Sequence, residues 1–439
     1  MISRAGRWIA RLLAIEDGET GAVCCGMLVF LFLFTGYFML RPVRETMGIA
    51  GGIDKLQWLF TATFVCTLVA LPLFGWLAAR VARRHILPWL YAFFAANLFA
   101  FAIAFHVAPG NVWFARTFYV WLSVFNLIAI SVAWSVLADV FTVAQAKRLF
   151  AVMAGGASFG GLLGPILGTV LVGPIGYAGL LALSGVLLLC AIGAAQSLRA
   201  WHRRHPSEDR RETTSAKPLG GSPFAGASTV VRSPYLVGIA VFVLLLASVN
   251  TFLYFEQARL VAATFPDRTD QTRVFGVIDT IVQTLAILTQ LFVTGHIARR
   301  LGVGVLLAAV PIMVAGGFVW LALSPVFAVF AVVMVLRRAG EYALVRPGRE
   351  TLFTLVDSEA KYKAKNFIDT VVYRGADAIS AWFKALIALI AEHPALACVI
   401  GAALSLVWAA NGLVLARSQR ERAARFDVSL RDDRGAMQP

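Results

Sequence analysis

Charge is scarce in this chain. Asp, Glu, Lys and Arg make up 14% of its 439 residues, against roughly 25% in a typical soluble domain. Hydrophobic residues fill 59%, and the mean hydropathy is +0.77. No single soluble core hides that much apolar surface, so the bilayer is the expected solvent. Short alternating segments are missing as well, which sets aside a transmembrane β-barrel. Only five cysteines occur (Cys24, Cys25, Cys66, Cys190 and Cys398), all in apolar runs without metal-type spacing. They read as small packing residues, and neither metal nor cofactor is expected. A phosphate-binding Gly-x-x-x-x-Gly-Lys-Ser/Thr loop is absent, which argues against an enzyme that pumps by ATP hydrolysis.

The charge that is present leans one way: 39 Lys and Arg against 24 Asp and Glu, a net +15. In a membrane protein such an excess reads first as topology, because cytoplasmic loops collect Lys and Arg. About twelve apolar runs reach the 20-residue length of a spanning helix. They lie near 24–48, 57–80, 86–107, 113–140, 150–173, 177–198, 233–263, 274–298, 301–323, 325–353, 364–390 and 394–416. With the N-terminus inside, Arg80, Arg83, Arg84, Lys147, Arg148, Arg299, Arg300, Lys361, Lys363, Lys365 and the polar tail all fall on the inner side. Only Lys55, Arg268 and Arg273 fall outside. The expectation is an inner (cytoplasmic) membrane protein with both termini cytoplasmic. Trp58 and Trp113 then sit at the outer interface, Trp8 and Trp89 at the inner one. At the start of the chain, Ile2, Trp8, Ile9, Leu12 and Leu13 lie roughly opposite Arg4, Arg7 and Arg11, as in a basic amphipathic helix on the membrane surface.

Residues 199–223 are rich in charge, Ser, Pro and Gly and read as a solvated linker. The chain divides accordingly into 1–198, a cytoplasmic linker 199–232, 233–416 and a cytoplasmic tail 417–439. Six spans, a basic loop and six more spans resemble the plan of the major facilitator superfamily. That resemblance implies an all-α polytopic fold of two six-helix halves, each an inverted pair of three-helix repeats. "GWLAARVARR" at 75–84 and "GHIARRLG" at 295–302 resemble its loops after spans two and eight, without their usual Asp. "GGLLGPILG" at 160–168 resembles the fifth-span motif of its antiporters. Gly160, Gly164 and Gly168 would let helices approach closely, and Pro165 would bend one; packing and hinge are equally good readings.

Ionisable residues inside spans are costly and point to function. "GYFMLRPVRETMG" at 36–48 brings Arg41, Arg44 and Glu45; "EYALVRPGRETLF" at 341–353 brings Arg346, Arg349 and Glu350; span 7 brings Glu256 and Arg259. Each leading pair is spaced i, i+3 and so shares a helix face. "IDTIV" at 278–282 and "IDTVV" at 368–372 form a second echo: Arg259 precedes Asp279 by the separation at which Arg349 precedes Asp369. First members of three-helix repeats line the pathway in this architecture. The two Arg-Pro-x-Arg-Glu-Thr stretches are therefore expected toward opposite mouths. Deeper in span 11 stand Arg374, Asp377 and Lys384, with Arg374 and Asp377 one turn apart. Arg is suited to this work because its fork binds phosphate or carboxylate bidentately. Asp139, Glu256, Asp279, Asp369 and Asp377 are either proton or cation sites or partners for the basic residues; structural salt bridges remain the plainer reading of any one pair.

"YFMLRPVRET", "YALVRPGRETLF" and above all "EAKYKAKNFIDTVVYRGADA" at 359–378 resemble the ATP/ADP transporters of the plastid and intracellular-parasite type. The resemblance implies exchange of nucleotides. The family's first span carries a basic–acidic pair, usually Lys-Asp, after an Arg; here Arg44 and Glu45 follow Arg41. The expected function is secondary transport by alternating access, with Arg41, Arg44, Arg259, Arg346, Arg349, Arg374 and Lys384 binding an anionic, nucleotide-like substrate. Glu45, Asp139, Glu256, Asp279, Glu350, Asp369 and Asp377 gate or couple, with Glu45, Glu256, Glu350, Asp279 and Asp369 holding the arginines. Proton-coupled transport of another organic anion or drug, and a non-transporting scaffold or sensor, are the alternatives. The partners implied are a small anionic metabolite, the lipid bilayer, and a proton or counter-substrate; nucleic acid is not among them.

Overall fold

The computed structural model describes residues 15–16, 18–205, 224, 226–390 and 394–436. The expected N-terminal amphipathic helix and residues 206–223 of the linker lie outside the described residues, while residues 199–204, expected to open the linker, are helical as the end of the helix Val143–Arg204. What is described is all helix, without a strand. In chain order the helices are α1 (Thr20–Ala50), α2 (Leu56–Arg80), α3 (Arg83–Val107), α4 (Val112–Val140), α5 (Val143–Arg204), α6 (Ala227–Val231), α7 (Pro234–Thr264) and α8 (Arg268–Thr289). They continue as α9 (Gly295–Arg300), α10 (Gly302–Leu323), α11 (Phe327–Gly340), α12 (Arg346–Leu352), α13 (Ser358–Phe367), α14 (Tyr373–Ile390) and α15 (Pro394–Ala436).

Local chemistry sets several ends. Asn111 Oδ1 accepts from Trp113 N at 2.9 Å to start α4, and Thr142 and Gln145 close a reciprocal capping box on α5. Asp267 accepts from the Thr269 and Asp270 amides ahead of α8, and those backbone bonds hold its carboxyl below the usual range. Inside α5, Gly176 stands at φ 62°. Only glycine takes that conformation without strain, and the break falls between the two expected spans, 150–173 and 177–198.

Among the described residues, nine helical stretches are long and apolar enough to cross a membrane, and the longest contains that break. The tenth and eleventh expected spans, 325–353 and 364–390, complete the twelve; in the structure they run over 327–355 and 358–390, are interrupted by π turns and carry many of the charges. The last helix does not stop at 416 but runs to Ala436.

The described residues form two compact units. One comprises those of Met1–Gly52, Val69–Gly221 and Phe265–Gln283; the other those of Ile53–Leu68, Ser222–Thr264 and Thr284–Pro439. The chain changes unit inside α2 and inside α8. In the first unit a glycine stripe on α5 seats α1. A methyl group at Gly160 would lie 2.7 Å from Leu31 O, one at Gly164 2.7 Å from Thr35 O, and one at Gly168 2.9 Å from Met39 O. No side chain fits there, so these glycines pack helix on helix. Of the cysteines, Cys398 alone is buried, and Cys24, Cys66 and Cys190 are exposed on their helices. The packing role expected of all five therefore fails for those three.

Candidate functional site

In the first unit the arginines come from the second half of α1. Arg44 Nη1 donates to Glu45 Oε1 at 2.9 Å and its Nε to Ser123 Oγ at 3.1 Å. Its guanidinium lies 3.9 Å from the centre of the Tyr119 ring. Arg41 faces Asp279 of α8 at 3.8 Å, an ion pair longer than a hydrogen bond, with Asp279 nearly inaccessible. The next turn is joined by hydroxyls: Thr46 and Thr272 meet at 2.7 Å, and Tyr177 reaches Thr272 at 3.3 Å. Asp139 stands apart at the end of α4, paired with Arg83 at 2.8 Å.

The second unit carries a longer chain of pairs. Glu256 on α7 is 2% exposed and holds two cations at once. Arg259 approaches one carboxylate oxygen at 2.8 Å, and Lys384 of α14 approaches the other at 3.1 Å. Arg349 meets Asp369 at 3.0 Å. Arg374 meets Asp377 at 3.6 Å, and Asp377 also accepts from Thr251 at 3.2 Å. Arg346 is the most open, with 57% of its side chain exposed; it lies 3.7 Å from Glu341 and 4.4 Å from the Tyr342 ring centre.

Four of the five carboxylates expected to hold arginines do so. Glu350 instead receives Lys365 at 2.7 Å. Three residues after Pro347 its side chain has turned toward α13, where the lysine stands. The 20-residue echo also breaks. Arg349 keeps its own Asp369, whereas Asp279 pairs with Arg41 and Arg259 with Glu256.

Sequence reasoning passed over Arg337, Arg338 and Glu341, all buried. Arg337 bonds Glu341 at 3.1 Å one turn on and also donates to Asn250 Oδ1. The i, i+4 spacing of Arg337 and Glu341 was the available signal. Three π turns accompany these charges: Gln290–Thr294, Glu341–Val345 and Ile368–Val372. Gln290 Nε2 donates to Tyr342 O at 2.9 Å and Thr294 Oγ1 to Ala343 O at 2.8 Å, which fastens the first π turn to the second. A π turn frees backbone carbonyls and is frequent at functional sites.

A family profile described as Major Facilitator Superfamily matches residues 23–345. The chain belongs to the Major Facilitator Superfamily. It is a multi-pass membrane protein of this transporter superfamily, with the superfamily's helical fold. Solved structures agree on the fold. A bacterial homolog of the human lysosomal transporter Spinster superposes with a TM-score of 0.59 at 13% identity, over 93% of this chain and 98% of that one. The POT family transporter PepTSo gives 0.61 at 14% identity, over 91% and 98%. The human organic anion transporter MFSD10 gives 0.55 at 18% identity, over 90% and 100%. Among curated proteins, ADP,ATP carrier protein 1 of Chlamydia trachomatis serovar D is 24% identical over 332 residues, 66% of this chain and 62% of that protein. Its namesake in Chlamydia muridarum is 24% identical over 309 residues, 61% and 57%. The match thus spans about three fifths of these relatives' length.

Proposed function

We propose that this chain exchanges nucleotides, or closely related phosphorylated anions, by alternating access between two halves, 1–198 and 233–416. The observation that carries the reading is the state of the arginines. Each candidate guanidinium is pre-paired with a carboxylate of its own unit, and Arg44, Arg346 and Arg374 also lie within 3.9, 4.4 and 5.8 Å of a tyrosine ring centre. Phosphate oxygens and carboxylate oxygens compete for the same fork. An arriving phosphate therefore displaces Glu45, Asp279, Glu341 or Asp369 without leaving a bare charge in the membrane. The freed carboxylate takes a new partner as the gate changes hands, which makes Arg41–Asp279 and Arg349–Asp369 the gate pairs. The tyrosine faces offer a stacking surface for a ring.

Charge count favours a polyanion. Among these described residues of the second unit, Arg259, Arg337, Arg338, Arg346, Arg349, Lys365, Arg374 and Lys384 outnumber Glu256, Glu341, Glu350, Asp369 and Asp377 by three. A monocarboxylate leaves most of that surplus standing, whereas a di- or triphosphate neutralises it. The 24% likeness to ADP,ATP carriers points the same way. Both termini are placed in the cytoplasm and the protein in the inner membrane on the charge bias of its loops.

Proteoliposomes loaded with unlabelled ADP should take up labelled ATP, and uptake should collapse without internal nucleotide. Arg44→Gln and Arg349→Gln should bring it to background while the protein still inserts and melts as a folded species. Uptake that follows an imposed pH gradient and ignores internal nucleotide would transfer the acidic residues to proton coupling.

A further inference from the structure

A cavity of about 340 Å³ opens at the ends of α2, α3 and α4 in the first unit. Phe74, Ile86, Val132 and Val136 make its apolar wall, and Ser135, Arg83 and Asp139 its polar edge. Arg83 bonds Asp139 at 2.8 Å and still leaves half of its side chain exposed. Arg80 and Arg84, both exposed, stand at the same helix ends. Arg199 of α5 donates to the carbonyl oxygens of Arg83 and Arg84, which ties the turn down. Arg83 lines the cavity and pairs with Asp139, while Arg80, Arg84 and Arg199 stand beside it at the same turn.

Trp76 and Trp89 flank this region with 51% and 75% of their surface exposed, and Arg80 lies 4.1 Å from the Trp76 ring centre. Exposed tryptophans mark the headgroup level of a bilayer. The cavity therefore offers fixed positive charge and an apolar wall at the depth where a phospholipid has a phosphodiester and the first part of its acyl chains. A soluble phosphate would satisfy the cations and leave the wall uncovered; a neutral lipid would do the reverse. Basic pockets between spanning helices on the cytoplasmic side suit acidic headgroups.

We propose that this cavity is a binding site for an acidic phospholipid, with the phosphodiester on Arg80, Arg83 and Arg84 and the chain against Phe74, Ile86 and Val136. It takes these helix ends as the cytoplasmic ones and is independent of which substrate is carried. The test is native mass spectrometry of the full chain taken from vesicles of equal phosphatidylcholine and phosphatidylglycerol. Phosphatidylglycerol should be the lipid retained. Arg80→Gln with Arg84→Gln should weaken its retention roughly 30-fold, given the usual contribution of each surface cation. Arg83→Lys keeps the charge and should keep the preference. Ser135→Leu fills the cavity without touching a charge and should release the lipid too, which carries the test if the double variant does not fold. Equal retention of both lipids, or complete displacement by inorganic phosphate, overturns the proposal.

Discussion

Glu256 neutralises Arg259 and Lys384 together while almost wholly buried. Removing it leaves Lys384, with 11% of its side chain exposed, without its counter-charge and beside the more open Arg259. Loss of one partner from a buried pair costs about 3–5 kcal/mol, so Glu256→Gln should lower the melting temperature in detergent sharply. Adding Lys384→Met should restore most of the loss, since the uncompensated buried cation is then gone. A residue at the chain's edge behaves differently. Burial opposes ionisation of Glu19, but the Glu16 amide, Gln145 and Arg148 outweigh it and hold the carboxyl below its usual range. A depressed value stabilises the fold fully above the ordinary carboxylate range, and that contribution fades as pH falls through the folded-state value. The gap in melting temperature between the native chain and Glu19→Gln should therefore be widest near pH 7 and close on acidification toward pH 3.

Helices were legible from the sequence because lipid demands long apolar runs, and the gap expected between 150–173 and 177–198 falls where Gly176 breaks the helix. Partners were legible only where they are near in sequence. Arg44–Glu45, Glu256–Arg259 and Arg374–Asp377 lie within one turn, whereas Arg41–Asp279 and Glu256–Lys384 depend on how distant helices cross. The π turns left no signal, because one extra residue in a turn changes neither hydropathy nor composition. Their effect is large all the same. Deleting Ala343 would return Glu341–Val345 to α geometry and rotate Arg337 and Glu341 by about 100° relative to Arg346 and Arg349. Nucleotide counterflow should vanish while circular dichroism still reports the same helix content.

At the scale of the molecule, the bias of Lys and Arg makes a side-specific prediction. In a chain freed of its five native cysteines, Lys55→Cys should react with an impermeant maleimide on intact spheroplasts. Arg84→Cys should react only after permeabilisation. Labelling in the reverse order would invert the assigned topology and move the proposed lipid site to the other leaflet.

The two charged, π-interrupted stretches also bear on how the protein is made. Between 327 and 355 the chain carries Arg337, Arg338, Glu341, Arg346, Arg349 and Glu350. Each charge at mid-membrane costs about 2.5–3.5 kcal/mol to a helix that partitions from the translocon alone, more than that segment's apolar residues repay. Its salt bridges to the following stretch, Arg349–Asp369 and Lys365–Glu350, cancel much of the cost only once both segments are present. Biogenesis must then hold the first segment beside the translocon until the second emerges, and release them into lipid as one hairpin.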